Sequence, residues 1–142
     1  MALDVGERRI GVAIADELGT IASPLTTVQR GRDDLETLRR LACERGATTI
    51  VIGLPTSLSG REGPQAATVR EFAAELEARV QPEIAVEFWD ERLTTAVAER
   101  SLGQRGIKGK QRRELVDATA AAVILQGYLD SRRARTVRAG EG

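Results

Sequence analysis

The stretch ALDVGERRIGVAIA, residues 2–15, decides how the fold begins. It holds two short apolar runs, Ala2–Gly6 and Arg9–Ala15, which meet at the turn-forming sequence Gly-Glu-Arg. Runs of this length around a short turn predict two strands joined by a tight hairpin. Further along, Thr20–Val28 predicts a third, antiparallel strand, and Pro24 within it favours the edge of a sheet.

Beyond the hairpin, apolar strands alternate with helical patterns. Asp33 or Asp34 predicts the N-cap of a helix that ends at Gly46. The later predicted elements are strand Thr48–Ile52, a Gly/Pro/Ser loop from Gly53 to Pro64, helix Ala66–Val80, strand Ile84–Trp89, helix Thr94–Leu102, mobile loop Gly103–Lys110 and helix Arg112–Ser131. Right-handed crossovers make the two later strands parallel to the first strand. This order predicts an α/β domain whose five-stranded mixed sheet is flanked by helices on both faces.

One domain accounts for the 142 residues, of which 42% are hydrophobic. We expect this domain to cover residues 1–131 and a basic, disordered tail to cover residues 132–142, because RRARTVRAGEG offers few side chains for a core. No stretch approaches the roughly 20 apolar residues of a membrane span, and the N-terminus lacks a signal-peptide pattern. We therefore expect a cytoplasmic protein with no membrane partner.

The composition excludes several kinds of site. The chain has no histidine and a single cysteine, Cys43. Histidine-based triads, Cys-His dyads, zinc sites of Cys and His ligands and an internal disulfide are therefore excluded within one chain. Carboxylates and the hard cations that they bind are left as the main source of chemistry.

The net charge of zero conceals a gradient along the chain. Residues 1–99 contain 11 arginines and 17 acidic residues, whereas residues 100–138 contain 10 basic and 3 acidic residues. This asymmetry is typical of a protein with one side that faces a polyanion, although a solvated helix and a charged tail would produce it equally well.

Three groups of acidic residues occupy unusual places. Asp4 lies within an apolar strand, the pair Asp90-Glu91 follows a later strand, and Asp117 shares a helix face with apolar residues. Burying such charges is costly unless a cation neutralises them. Mg²⁺ or Mn²⁺ would suit these oxygen ligands, and two such ions about 4 Å apart would support phosphodiester cleavage.

Each of these acidic residues also has a purely structural interpretation. Asp4 could cap the turn that follows it, Asp90 could cap a helix that begins near Thr94, and Asp117 could pair with Arg113 one helical turn earlier. Sequence alone also leaves open whether Asp90 or Glu91 would bind metal. The three groups together favour a shared site.

Basic residues near the hairpin, the acidic pair and the last helix are candidates for binding substrate phosphates. Those on the hairpin, or in the glycine-rich loop, could instead simply face solvent. The candidates are Arg8, Arg9, Arg92, Lys108, Lys110, Arg112 and Arg113.

Four motifs in this order resemble those of the YqgF/RuvX family of bacterial proteins. They are ALDVGERRIGVAIAD, IVIGLP followed by SGREG, WDERLTT, and GKQRRELVDATAAAVILQGYL. The resemblance implies an RNase H-like fold and a nuclease that either matures the 5′ end of the 16S ribosomal RNA precursor or resolves Holliday junctions. It also implies that Asp4, Glu91 and Asp117 are catalytic, metal-binding carboxylates.

Two other functions compete with a nuclease. An ATP-dependent phosphotransferase would open with a similar hairpin, but such enzymes close two domains around the nucleotide and this chain supplies one. A catalytically silent factor that binds nucleic acid or the ribosome is the second alternative, which the three acidic residues disfavour. Four-way junction DNA and precursor rRNA both remain possible substrates, and symmetric cleavage of a junction would require a homodimer.

Overall fold

The computed structural model describes residues 1–56, 61–90 and 109–141, with side chains described over 115–135 in the last range. These residues form five strands and three helices. In chain order they are β1 (Ala2–Val5), β2 (Arg9–Ala15), β3 (Ala22–Gln29), α1 (Asp34–Glu44), β4 (Thr49–Leu54), α2 (Pro64–Val80), β5 (Ala85–Asp90) and α3 (Gly109–Glu141).

The strands build one mixed sheet in the order β3-β2-β1-β4-β5. Strand β2 is antiparallel to both β1 and β3, whereas β4 is parallel to β1 and to β5. The predicted topology is thereby confirmed. The β1–β2 hairpin closes with a hydrogen bond of 2.9 Å from Gly6 N to the Arg9 carbonyl oxygen. A Cβ atom on Gly6 would lie 2.8 Å from that oxygen, so the turn requires glycine.

The two faces of the sheet are covered by different helices. Helices α1 and α2 pack against one face, and the shared core there includes Leu3, Val5 and Ile10. Helix α3 packs against the other face, where the strands contribute Ala2, Ala13 and Val51. Because side chains alternate along a strand, β1 contributes side chains to the cores on both faces of the sheet. Helices on both faces were predicted from the sequence, and the structure confirms them.

Helix α1 lies where the sequence predicted it, with Asp33 at the N-cap position. Helix α1 begins at Asp34, and the N-cap residue Asp33 makes no side-chain capping bond. Asp34 instead accepts hydrogen bonds from Gly31 N at 3.2 Å and Arg30 Nε at 3.1 Å. The helix is followed by Gly46, whose φ of 66° explains the glycine there.

The last helix is longer than predicted. It begins at Gly109, so Lys110 belongs to the helix rather than to the loop predicted to precede it. It also continues past Ser131 to Glu141, through the segment for which we predicted a disordered tail. Arginine and alanine favour helix and no proline interrupts this segment, which explains the extension. The predicted helix Thr94–Leu102 and residues 103–108 of the predicted loop lie outside the described residues.

No helix in the described part of the chain combines the length and apolar character needed to cross a membrane.

Candidate active site

Gly11 links the positions of Asp4 and Asp117, because it lies next to both. Asp4 lies on β1 opposite Gly11 on β2, and strand alternation places it on the sheet face that α3 covers. A Cβ atom on Gly11 would lie only 1.9 Å from the backbone oxygen of Asp117. Helix α3 therefore rests directly on the β2 backbone at the level of Asp4. The structure brings these two of the predicted site residues together.

Arg9 completes this cluster from the start of β2. Its Nε donates a hydrogen bond of 2.8 Å to Oδ2 of Asp117. The two side chains are only 20% and 23% exposed, so solvent shields this ion pair less than a surface pair. The sequence suggested Arg113 as a structural partner of Asp117 and assigned Arg9 to substrate phosphates. The structure pairs Asp117 with Arg9, 108 positions away, and the side chain of Arg113 lies outside the described residues.

Asp90 lies at the end of β5, on the other face of the sheet. Within β5, Phe88 contacts Arg70 of α2, whereas Trp89 contacts Tyr128 of α3. Alternation therefore puts Asp90 on the α2 face, away from Asp4 and Asp117. Asp90 accepts a hydrogen bond of 2.6 Å from Thr56 Oγ1, a contact that the sequence did not predict.

The end of β5 is anchored to α3 by aromatic packing. The Trp89 and Tyr128 rings meet edge to face with centroids 6.2 Å apart, and a Cβ atom on Gly127 would lie 3.2 Å from the Trp89 ring. Tyr128 also donates a hydrogen bond to Glu87. Burial, reinforced by Glu87, raises the pKa of the Tyr128 hydroxyl. These contacts hold β5 against the helix that carries Asp117.

The predicted phosphate-binding residues fall on the hairpin, on the start of α3 and outside the described residues. Arg8 is exposed at the hairpin turn, and Arg9 is engaged with Asp117 as described. Lys110, Arg112 and Arg113 lie in the first turns of α3, on the same helix as Asp117. Arg92, Lys108 and the acidic residue Glu91 lie outside the described residues.

The donor set fits a hard divalent cation. Asp4 and Asp117 offer carboxylate oxygens, the ligands that Mg²⁺ and Mn²⁺ prefer. Among the residues that the structure describes, no three His, Cys, Asp or Glu side chains form a group that could hold a metal ion. The third predicted carboxylate, Glu91, lies outside the described residues.

Comparisons with known proteins show the family to which the chain belongs. A family model described as RuvX, Holliday junction resolvase, matches residues 1–131. A protein of Nocardioides sp. (strain ATCC BAA-499 / JS614) is 49% identical over 146 residues, which cover 99% of this chain and 93% of that protein. A protein of Chloroflexus aggregans is 45% identical over 135 residues, which cover 94% of each chain. A protein of Geobacillus kaustophilus is 44% identical over 137 residues, which cover 94% of this chain and 98% of that protein. Each of the three bears the name "Putative pre-16S rRNA nuclease".

The family match and the relatives confirm the resemblance carried by the four sequence motifs. They also agree with the architecture, because a mixed sheet led by an antiparallel hairpin and covered on both faces is the RNase H-like arrangement. The chain therefore belongs to the RuvX family, and it is a nuclease, a hydrolase of phosphodiester bonds in nucleic acid.

Proposed function

We propose that the nuclease activity depends on Mg²⁺ or Mn²⁺ held by Asp4, Glu91 and Asp117, with two ions bound when substrate is present. This proposal is supported by the contact of Gly11 with the Asp117 backbone, because Asp4 lies opposite Gly11 on the neighbouring strand. A divalent ion held there would activate a water molecule and stabilise the leaving oxygen of the phosphodiester.

The protein's own residues would have distinct tasks. Asp4 is fixed by a strand in the centre of the sheet, and Asp117 is fixed by the Gly11 contact and by Arg9. Two such rigid attachments favour a constant separation between the carboxylates. The exposed side chain of Arg8, at the tip of the hairpin beside Asp4, is suited to hold a phosphate of the substrate.

The position of Asp90 supports Glu91 as the third carboxylate. Asp90 shares the α2 face with Phe88, whereas Asp4 and Asp117 lie on the α3 face. Of two consecutive acidic residues, only one can share a face with Asp4 while the strand continues. We therefore assign metal binding to Glu91 and a supporting role to Asp90, which the comparison of Glu91→Gln with Asp90→Asn would test.

For the substrate, we propose the precursor of 16S rRNA, which the chain would cut to mature its 5′ end. This proposal is supported by the names of relatives that are 44–49% identical over nearly the whole chain. The description of the family model supports a second candidate, four-way junction DNA. The basic residues at the start of α3 would contact the phosphate backbone of either substrate.

A side-by-side cleavage assay separates these candidates. Three substrates are incubated with Mg²⁺ or Mn²⁺: a mimic of the rRNA precursor, a linear duplex and a synthetic four-way junction. Cleavage of the RNA mimic at one defined position would support rRNA maturation. Paired, symmetric cuts in the junction alone would support resolution instead. Failure to cut any of the three would favour a catalytically silent factor that binds nucleic acid.

Oligomeric state provides an independent test. Symmetric cleavage of a junction needs two active sites related by a two-fold axis, and hence a homodimer, whereas trimming of one RNA end needs one site. Light scattering at micromolar concentration, with and without junction DNA, would distinguish these cases. A monomer that binds one junction per chain would contradict the resolvase function and favour the rRNA nuclease.

A further inference from the structure

The ion pair between Arg9 and Asp117 joins a basic side chain to a proposed metal ligand. Gly11 and Arg9 are two residues apart on β2 and therefore lie on the same face of that strand. Gly11 touches the main chain of Asp117, and Arg9 binds its side chain through Nε at 2.8 Å. Strand β2 thus holds Asp117 at two points, one of which involves charge.

The contact engages one oxygen of the Asp117 carboxylate. Nε of Arg9 donates to Oδ2, and none of the described residues donates a hydrogen bond to Oδ1. Oδ1 is therefore the oxygen of Asp117 that the contact with Arg9 leaves to a cation. A cation bound there would lie within a few ångströms of a guanidinium that carries the same sign of charge.

We infer that Arg9 is the counter-ion of Asp117 in the metal-free protein and that it weakens binding of divalent cations to the site. The inference rests on the proposed function, because it takes Asp117 as a metal ligand. Arg9 neutralises one of two neighbouring carboxylates, so this acidic part of the protein can fold without metal. The same positive charge then opposes an incoming Mg²⁺ or Mn²⁺.

Two opposing effects decide what removal of Arg9 would do. Loss of its charge removes a repulsion that remains substantial near a protein surface, since unit charges at such separations interact strongly even in a partly screened medium. Loss of its hydrogen bond frees one short side chain, whose rotamer entropy is small. The electrostatic effect is the larger, so the variant should bind the ion more tightly, by about tenfold.

Titration of the metal-free protein with Mn²⁺, followed by calorimetry and by electron paramagnetic resonance, tests this inference without any substrate. Arg9→Gln should lower the dissociation constant for Mn²⁺ about tenfold. Arg9→Lys, which keeps the charge, should stay within about twofold of wild type. Arg40→Gln is the control, because it removes the same charge from an exposed residue of α1, on the opposite face of the sheet, and should change affinity by less than twofold.

Folding is checked by thermal unfolding of each variant without metal. Arg9→Met, which keeps the aliphatic packing of the stem, is measured in parallel and should reproduce the tighter binding even if Arg9→Gln is poorly folded. Because tighter binding to the folded state gives greater stabilisation, saturating Mn²⁺ should raise Tm more in the Gln and Met variants than in wild type.

The outcomes separate the inference from the function on which it rests. Unchanged or weaker Mn²⁺ binding in both Arg9→Gln and Arg9→Met would overturn the counter-ion role. If Asp117→Asn leaves Mn²⁺ binding unchanged, the assignment of Asp117 as a ligand fails instead. Weaker binding in Asp117→Asn together with tighter binding in Arg9→Gln would support both.

Discussion

The two faces of the sheet are built from side chains of different size. On the face covered by α1 and α2, the strands present large residues such as Leu3, Ile10 and Ile52, all fully buried. On the face covered by α3, they present Ala2, Gly11 and Ala13 at the same level of the sheet. Small side chains allow a helix backbone to approach a sheet closely, whereas large ones hold it away.

Within this small domain, one face of the sheet therefore contributes mainly to stability, and the other carries the candidate site. The close approach at Gly11 brings the Asp117 main chain onto β2, and the Asp117 carboxylate into reach of Arg9 and of the Asp4 region. The opposite face buries more apolar surface and contributes more to the free energy of folding. Strand β1 serves both purposes, because its alternate residues are Leu3 and Val5 on one side and Ala2 and Asp4 on the other.

The largest expected effect is loss of catalysis from variants on the α3 face. We expect Asp4→Asn and Asp117→Asn each to reduce cleavage on the order of 1,000-fold or more, about 4 kcal/mol of transition-state stabilisation, because each removes a ligand from one shared site. Glu91→Gln should behave in the same way. The double variant should lose little more than either single variant, since the residues act as a unit. Single-turnover cleavage rates at saturating Mg²⁺ measure these losses.

A matched control for these variants lies on the same helix as Asp117. Asp130 is exposed and accepts a hydrogen bond from Gln126 at 3.0 Å, near the opposite end of the packed part of α3. Asp130→Asn should therefore cleave at the wild-type rate. Near-normal cleavage by Asp4→Asn or Asp117→Asn under metal saturation would show that the residue concerned is not a ligand.

Replacement of Gly11 should prevent the close approach of α3 that distinguishes this face of the sheet from the other. In Gly11→Ala the new methyl group would overlap the Asp117 backbone oxygen. A flexible side chain could move out of the way, but this oxygen belongs to the backbone of a packed helix and cannot. We expect a loss of about 3 kcal/mol in the free energy of unfolding, together with loss of cleavage in the folded fraction. Urea denaturation and cleavage assays measure the two effects.

Gly31 provides the comparison for this variant. A Cβ atom on Gly31 would meet nothing within 4 Å, so Gly31→Ala should leave both stability and cleavage close to wild type. If Gly11→Ala were as stable and as active as Gly31→Ala, the close contact between β2 and α3 would not define the site.

Sequence reasoning recovered the fold because the fold depends on local patterns. The short apolar runs Ala2–Gly6 and Arg9–Ala15, the turn between them and the helical spacing of leucines are all visible over a few residues. The end of the last helix was predicted less accurately, since the sequence of residues 132–141 carries no stop signal and the arginines and alanines there continue the helix.

The residues of the candidate site were proposed from the sequence, whereas their contacts were not. An acidic residue inside an apolar strand was a clear signal for Asp4, and the family motifs indicated Asp117 and Glu91. The contact between Arg9 and Asp117 was not predictable, because it joins positions 108 residues apart and only tertiary packing brings them together. Gly11, two residues after Arg9, was the sequence signal for that packing, yet a hairpin would also explain a glycine there.

A cavity in the α1/α2 face should lower stability without changing the chemistry. Leu76 of α2 is fully buried in the core on that face. Leu76→Ala should cost about 3 kcal/mol in the free energy of unfolding, through lost burial and the cavity that remains. The rate of cleavage per folded molecule, determined after correction for the folded fraction, should match wild type. A large fall in that rate would mean that the two faces are not independent.

The smallest expected effect concerns substrate affinity at the start of α3. Lys110 lies in the first turn of α3 and Lys108 precedes the helix, and we expect both to contact phosphates rather than metal. Changing both to alanine should weaken binding while leaving single-turnover cleavage at saturating substrate unchanged. Because each lost phosphate contact removes about 0.9 from the slope of log affinity against log salt for duplex DNA, the slope should fall by roughly 1.8. Fluorescence anisotropy at several salt concentrations measures this slope.

The control removes the same number of charges from the other side of the sheet. It combines Arg40→Ala on α1 with Arg79→Ala on α2, both of which are exposed. That variant should keep the wild-type slope, since the α1/α2 face is expected to lie away from the substrate. An equal fall in slope for both double variants would indicate a general effect of net charge, and an unchanged slope for the lysine variant would show that these lysines face solvent.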